Sequence, residues 1–221
     1  LSASYDFKWN KLNADLPRFA YPHRYSNYVS VATAADLGRL KIQASLMNVW
    51  VKDHARNVRT AKALSACTPA LFVSLRPFDV QWLSLRAFAK RSYRMPTFND
   101  LYYTDVGNAN LRPESAVQYD MGVLAEQRWS HGVVRRLMLQ ADGYYNTVHD
   151  KIVAYPKGQQ FRWTMLNLGR VHITGLDVQA QADMAVTHSL MATLRMQYTY
   201  QDARDVTSPA TSYYRDQIPY I

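Results

Sequence analysis

Residue types capable of chemistry are present but scattered. Cys67 is the only cysteine, which excludes an internal disulfide and any cysteine-based zinc site within this sequence. His131 falls in a Ser-His-Gly turn, His149 beside a loop and His172 on the apolar face of a strand-like run, so none shares a short-range ligand spacing with another. His54 stands apart in a basic loop. There is no Gly-x-Ser-x-Gly elbow, no phosphate-cradling glycine loop and no paired-histidine helix. The sequence therefore points away from an enzyme, away from a resident metal and away from any cofactor.

What remains is binding chemistry, concentrated in Tyr93–Glu114. Arg94, Pro96, Asn99, Asp100, Asn110, Pro113 and Glu114 are types that shape a loop: prolines fix φ, and Asn and Asp side chains mimic turns by bonding nearby backbone. The adjacent rings of Tyr102 and Tyr103, with Asp105, are the residues best suited to stack on and hydrogen-bond a ligand, or to close the loop on its neighbours. Arg86, Arg136 and Arg195 sit on the polar faces of strand-like runs. There they would ease the passage of an anion or pair with Asp142 and Asp177 across strands.

The elements that position these residues read as strands throughout. Leu1, Ala3, Tyr5, Phe7 and Trp9 alternate with Ser2, Ser4, Asp6, Lys8 and Asn10, a period of two over a membrane-spanning length of about nine residues. The same alternation recurs along Leu40–Asp53, from Ala116, from Arg135, through His172–Asp183 and from Leu190 to Gln201. The spacing predicts about ten strands, the last from Tyr213, with no convincing helical period. Connections alternate in length. Short turns are expected at Leu37–Arg39, Arg76–Asp79, Ser130–Gly132 and Ala185–Thr187, and long loops at Lys11–Tyr25, His54–Ser65, Arg94–Ser115, Asp150–Gln160 and Asp202–Ser212. Short turns on one rim and long loops on the other are the habit of an antiparallel up-and-down transmembrane β-barrel, not of a Greek-key sandwich.

Composition agrees. The 221 residues carry 16 Tyr and 5 Trp, and aromatics cluster near run ends, where an interfacial girdle would sit. No apolar run approaches the ~18 residues of a spanning helix. Lys and Arg exceed Asp and Glu by 26 to 17, giving +9. The basic residues are dispersed, with only Lys90-Arg91 and Arg135-Arg136 adjacent, so nucleic acid is not an expected partner. The sequence opens in one strand-like run and stops in another, without a signal peptide. It reads as part of a longer polypeptide.

The motifs also resemble a known family. Arg94-x-Pro96, Asn99-Asp100-Leu101-Tyr102 and Asn110-Leu111-x-Pro113-Glu114, then Asn167-Leu168-Gly169 with Ile173-Thr174-Gly175-Leu176-Asp177, and finally Gln217-Ile218-Pro219-Tyr220-Ile221, are similar to TonB-dependent outer-membrane receptors of the small cobalamin or siderophore kind. The resemblance implies that residues 1–221 are a roughly ten-strand part of a 22-strand barrel, closed in the family by a plug. No plug or TonB box is recognisable here. It further implies uptake of a scarce chelate (cobalamin or a ferric siderophore) across the bacterial outer membrane, driven by the TonB-ExbB-ExbD complex. The implied partners are outer-membrane lipid and the small-molecule chelate; the alternative within transport is a glycan importer of the large-receptor type, paired with a surface lipoprotein. A cell-surface β-sandwich binding module is the alternative outside transport. Some haem-binding members of the family carry a ligand histidine between the Arg-x-Pro and Asn-x-Asn-Leu boxes; Pro96–Asn108 holds none, so the resemblance disfavours haem.

Overall fold

The computed structural model describes residues 1–221 except 16, 18, 57, 79, 104–105, 158–161, 188, 213 and 219–221. Nine strands follow in chain order: β1 (Ser2–Lys11), β2 (His23–Leu37), β3 (Leu40–His54), β4 (Leu64–Leu75), β5 (Leu83–Arg94), β6 (Glu114–Arg128), β7 (Val134–Lys157), β8 (Arg162–Ala185) and β9 (Met191–Asp205). One short helix, α1 (Phe98–Tyr102), lies between β5 and β6. All nine strands form one antiparallel sheet in sequence order, each paired with its neighbours in the chain. The chain is all-β with an up-and-down meander topology, as the alternation predicts.

The register aligns the faces. Ala35, Ile42, Val73, Ala87, Met121, Gly143, Leu176 and Tyr200 form one continuous cross-strand row of mainly apolar side chains. The row displaced by one residue reads Asp36, Lys41, Ser74, Arg86, Gly122, Asp142, Asp177 and Thr199. A single cavity is lined from Ala34 on β2 round to Thr199 on β9, so the polar face is concave and the apolar face convex. No second sheet covers the apolar face among the described residues. Met121, Leu194 and Met196 are 73, 63 and 67% exposed. A soluble monomer does not leave so large a contiguous apolar surface to water, so the sandwich alternative finds no partner layer here. The buried clusters lie instead at the long-loop end, around Leu101, Tyr102 and Leu111 and around Val148, Val171 and Ile173.

Four expectations need correction. The turn after β4 spans 76–82 rather than four residues, because pairing on β5 begins only at Leu83. The loop expected over Asp150–Gln160 is mostly strand: β7 continues to Lys157 and pairs with β8 as far as Arg162. Asp150 adopts φ 56°, a left-handed conformation that Asp tolerates, and the ribbon's pairing continues past it in unchanged register. The strand expected from Tyr213 is represented among the described residues by one bridge, Arg204 to Gln217, while Tyr213 itself lies outside them. The signature loop also contains a helix where no helical period was evident. It is a single turn, too short to repeat a period, and its signal is local: Thr97 and Asp100 form a capping box.

Candidate functional site

The loop between β5 and β6 is held at its base by register. Arg94 and Glu114 are Cα partners, and Arg94 Nη1 donates to Glu114 Oε1 at 2.8 Å. The other end of the guanidinium reaches Asp100 Oδ2 at 3.5 Å. Asp100 also accepts from the Thr97 backbone N–H at 2.8 Å, and Thr97 Oγ1 accepts from the Asp100 N–H at 3.1 Å. Glu114 Oε1 additionally accepts from the Ile152 N–H at 2.7 Å, joining the β7 extension to the loop base. The buried Glu114 and Asp100 carboxylates are thus satisfied by one arginine and backbone amides.

A second clamp sits on the opposite side. Arg24 forks onto Asp53 (Nε to Oδ1 2.6 Å, Nη2 to Oδ2 2.8 Å) and donates from Nη2 to the Pro96 carbonyl at 2.9 Å. Its guanidinium lies 5.0 Å over the Phe98 ring. Pro96 is fully buried. The pair is bidentate and almost dry, the geometry in which Arg outperforms Lys.

The two tyrosines part company. Tyr102 is 7% exposed. Its hydroxyl donates to Asp53 Oδ2 at 3.4 Å and accepts from the Ala61 N–H at 3.2 Å. Burial, chiefly, pushes its phenol above the ordinary range. Tyr103 is 49% exposed. Asp105 lies outside the described residues. Asn99 contributes its carbonyl, which accepts from the Tyr103 N–H at 3.3 Å. Asn110 is exposed, and its N–H donates to Asn108 Oδ1 at 3.0 Å. Pro113 is half-buried in front of β6.

Two asparagines hold the loop through contacts that the sequence did not indicate. Asn108 Nδ2 donates to the Met165 carbonyl at 2.9 Å. Asn167 bridges Arg112 and Asp150 through three hydrogen bonds: it accepts from the Arg112 N–H and donates to the Arg112 and Asp150 carbonyls. Asn167 was visible as a motif residue, but nothing local told which loop it would meet. Gly107 is required sterically: a Cβ there would stand 2.6 Å from the Tyr103 nitrogen.

On the concave wall, Arg86 holds Asp142 through Nε and Nη2 at 2.7–2.9 Å. The two residues are on β5 and β7, so the pair passes over β6. That is possible because β6 offers Gly122, where a Cβ would lie 1.9 Å from Asp142 Oδ1. Arg136 pairs with Glu126 at 2.9 Å and Asp183 at 3.6 Å. Arg195 donates to Gln181 Oε1 at 3.2 Å rather than to an acid. The three arginines therefore share a face but are spaced along it as separate sites. Among the described residues no cluster of three or more His, Cys, Asp or Glu is placed to hold a metal.

Known proteins share this architecture. Residues 2–221 match the family described as TonB dependent receptor-like, beta-barrel. A vitamin B12 transporter BtuB of Vibrio vulnificus is 27% identical over 135 residues, covering 61% of this chain and 20% of that protein. Its counterpart in Photobacterium profundum is 28% identical over 126 residues, covering 56% of this chain and 19% of that protein. The chain thus spans about a fifth of the length of the curated relatives it matches. In fold, it superposes on the FrpB iron transporter from Neisseria meningitidis (F3-3 variant) with a TM-score of 0.59 at 16% identity, over 92% of this chain and 28% of that one. The copper transporter OprC gives 0.60 at 19% identity, over 86% and 30%. At these identities the superpositions speak for the fold alone. With a family match over nearly its whole length and a barrel-wall sheet to go with it, the chain belongs to the TonB dependent receptor-like, beta-barrel family.

Proposed function

We propose that this chain is a wall segment of a bacterial outer-membrane receptor that binds a scarce metal chelate and imports it with energy from the TonB-ExbB-ExbD complex. Cobalamin is the favoured cargo and a ferric siderophore the second. The convex face meets lipid, the concave face lines the lumen, and the long loops stand outside the cell. The observation that carries the reading is the capped loop of residues 94–114, locked by Arg94, Glu114, Arg24 and Asp53 so that Tyr103 is held exposed. The relatives named as vitamin B12 transporters favour the corrinoid. Tyr103 is the ligand contact in this proposal. Arg94, Pro96, Asn99, Asp100, Asn110, Pro113 and Glu114, with Tyr102, hold its backbone, while Arg86, Arg136 and Arg195 set the potential of the lumen wall.

In the full-length protein, Tyr103→Ala is expected to weaken binding of cobalamin about tenfold, the cost of a single aromatic contact. Tyr102→Phe should change affinity little while loosening the loop. Labelled cobalamin and ferric siderophores, assayed on outer-membrane vesicles and on whole cells with and without TonB, separate the outcomes. Unaltered binding by the Tyr103 variant removes the loop from the ligand site. TonB-independent accumulation removes the transport reading itself.

A further inference from the structure

Gln140, Gln179 and Gln197 are Cα partners across β7, β8 and β9. Their carboxamides therefore form one row on the concave face, at the spacing of about 4.8 Å that separates neighbouring strands. All three line the cavity. Gln140 donates from Nε2 to Asp142 Oδ2 at 2.8 Å. Gln179 and Gln197 have no hydrogen-bond partner among the described residues, although they stand side by side. The row is thus not a ladder of amides that binds the sheet together. The next glutamine along β8 shows the contrast: Gln181 donates to Asp183 at 3.0 Å and accepts from Arg195 at 3.2 Å. Two residues nearer the long loops, Asp142 and Asp177 are Cα partners. Arg86 holds Asp142, while Asp177 has neither an ion pair nor a hydrogen bond among the described residues. Like charges in directly opposed positions destabilise a sheet, so Asp177 costs the wall stability and returns no bond within it.

We infer that this row receives the uncharged carboxamide arms of a solute in transit, and that Asp177 repels the same arms when they are carboxylates. The inference rests on the import reading above and names the chemistry by which the wall selects its cargo. A carboxamide carries two N–H donors and an acceptor oxygen. It can pair with a glutamine head to tail, each amide donating to the other's oxygen. A carboxylate has acceptors only, so it satisfies the glutamine N–H groups and sets its own oxygens against the glutamine oxygen. Asp177, two residues along the strand from Gln179, adds a like charge. The guanidinium groups of β5 and β7 on this face do not offset it, because Arg86 is held by Asp142 and Arg136 by Glu126 and Asp183. Two adjacent free amides also suit several arms on one molecule, which can step from strand to strand without any single tight contact. Passage needs sites that bind weakly enough to release.

The test uses the full-length protein in cells. The probes are radiolabelled cyanocobalamin, a corrinoid with several carboxamide arms, and its monocarboxylate, in which hydrolysis has turned one arm into a carboxylate. Surface binding is read without energy, and uptake with TonB active. Gln179→Leu/Gln197→Leu removes two amides at similar volume, and Asp177→Asn removes the charge. Two hydrogen bonds of ordinary net worth correspond to about tenfold, so the double variant should import cyanocobalamin about tenfold more slowly, with surface binding unchanged. Wild type should import the monocarboxylate about fivefold more slowly than the parent, the scale of one partly screened charge pair, and Asp177→Asn should bring the two within about twofold. A general loss of structure would slow both probes alike and would not raise uptake of the acid. Unchanged uptake by the glutamine variant overturns the row, and so does a loss of surface binding in step with uptake, because the defect then lies in the loops. A wild-type protein that imports both probes equally, or an Asp177→Asn variant that still discriminates, overturns selection by charge. Wild type that shows no TonB-dependent uptake of cyanocobalamin overturns the import reading, and the inference with it.

Discussion

Glycine 122 decides what its neighbours on either side can do. Arg86 and Asp142 are separated by a whole strand, and their guanidinium and carboxylate meet only because β6 presents no side chain between them. Gly122→Val should destabilise the barrel by about 1–3 kcal/mol, because the added carbons displace a carboxylate bonded to Arg86 and Gln140. Chemical unfolding of the full-length protein in lipid vesicles measures it. In an Asp142→Ala background the same glycine substitution should cost much less, since the atom it strikes is gone; strict additivity of the two changes would sink the account. The arginine was legible in the sequence as a residue of a polar face, and Asp142 as its candidate partner. The strand between them and the slot it leaves were not, because no rule of composition reveals side-chain reach over two ladders. Tyr102 teaches the same lesson. Next to Tyr103 in the chain, it was indistinguishable from it, yet helix α1 turns one ring into the cluster around Leu101 and the other to solvent. Removing the hydroxyl in Tyr102→Phe deprives the Ala61 amide of its acceptor, and a loss of about 1 kcal/mol in local loop stability is expected.

At the scale of elements, strand existence was plain from alternation, while strand length was not. Polar residues at Asp150, Lys151 and Pro156 resemble a loop in sequence, but the extended β7–β8 ribbon keeps its cross-strand pairing to Lys157, and Asn167 satisfies the carbonyl freed at Asp150. A ribbon of 24-residue strands greatly exceeds the ~9–11 residues needed to cross a bilayer. In the proposed membrane setting its far end would stand in water, where polar side chains cost nothing. Helix α1 depends on its capping box more than on any propensity, being a single turn. Thr97→Ala is expected to cost about 1 kcal/mol locally. Hydrogen exchange should then run about fivefold faster at the Asp100 and Tyr103 amides, with strand amides of β5 unchanged. Uniform acceleration through β5 would mean that the cap supports the whole wall rather than the loop. Glu114→Gln tests the junction between loop and ribbon: it keeps an acceptor for the Ile152 amide but removes the charge opposite Arg94. Protease sensitivity of the ribbon should stay near wild type, while loop amides exchange faster.

For the molecule as a whole, everything turns on which way the two faces look. Met196 and Gln197 are chain neighbours on β9 that point in opposite directions, midway between Met191 at the turn end and the aromatic residues Tyr198 and Tyr200. Met196 lies on the convex face with Ala180 as its pair, and Gln197 faces the cavity opposite Gln179. Neither side chain is a packing keystone, so a charge placed at either tests solvent and not shape. If acyl chains surround the convex face, Met196→Arg brings an unpaired guanidinium near mid-bilayer, at about 2–4 kcal/mol. Gln197→Arg should stay within about 0.5 kcal/mol of wild type, because the same group hangs in a hydrated lumen among amides. Urea unfolding of the full-length protein in vesicles reports both. Two equal and small effects would mean that water bathes both sides of the sheet. A large effect at Gln197 with a small one at Met196 would turn the barrel inside out, and would take with it the lumenal arginines and the outward placement of the long loops.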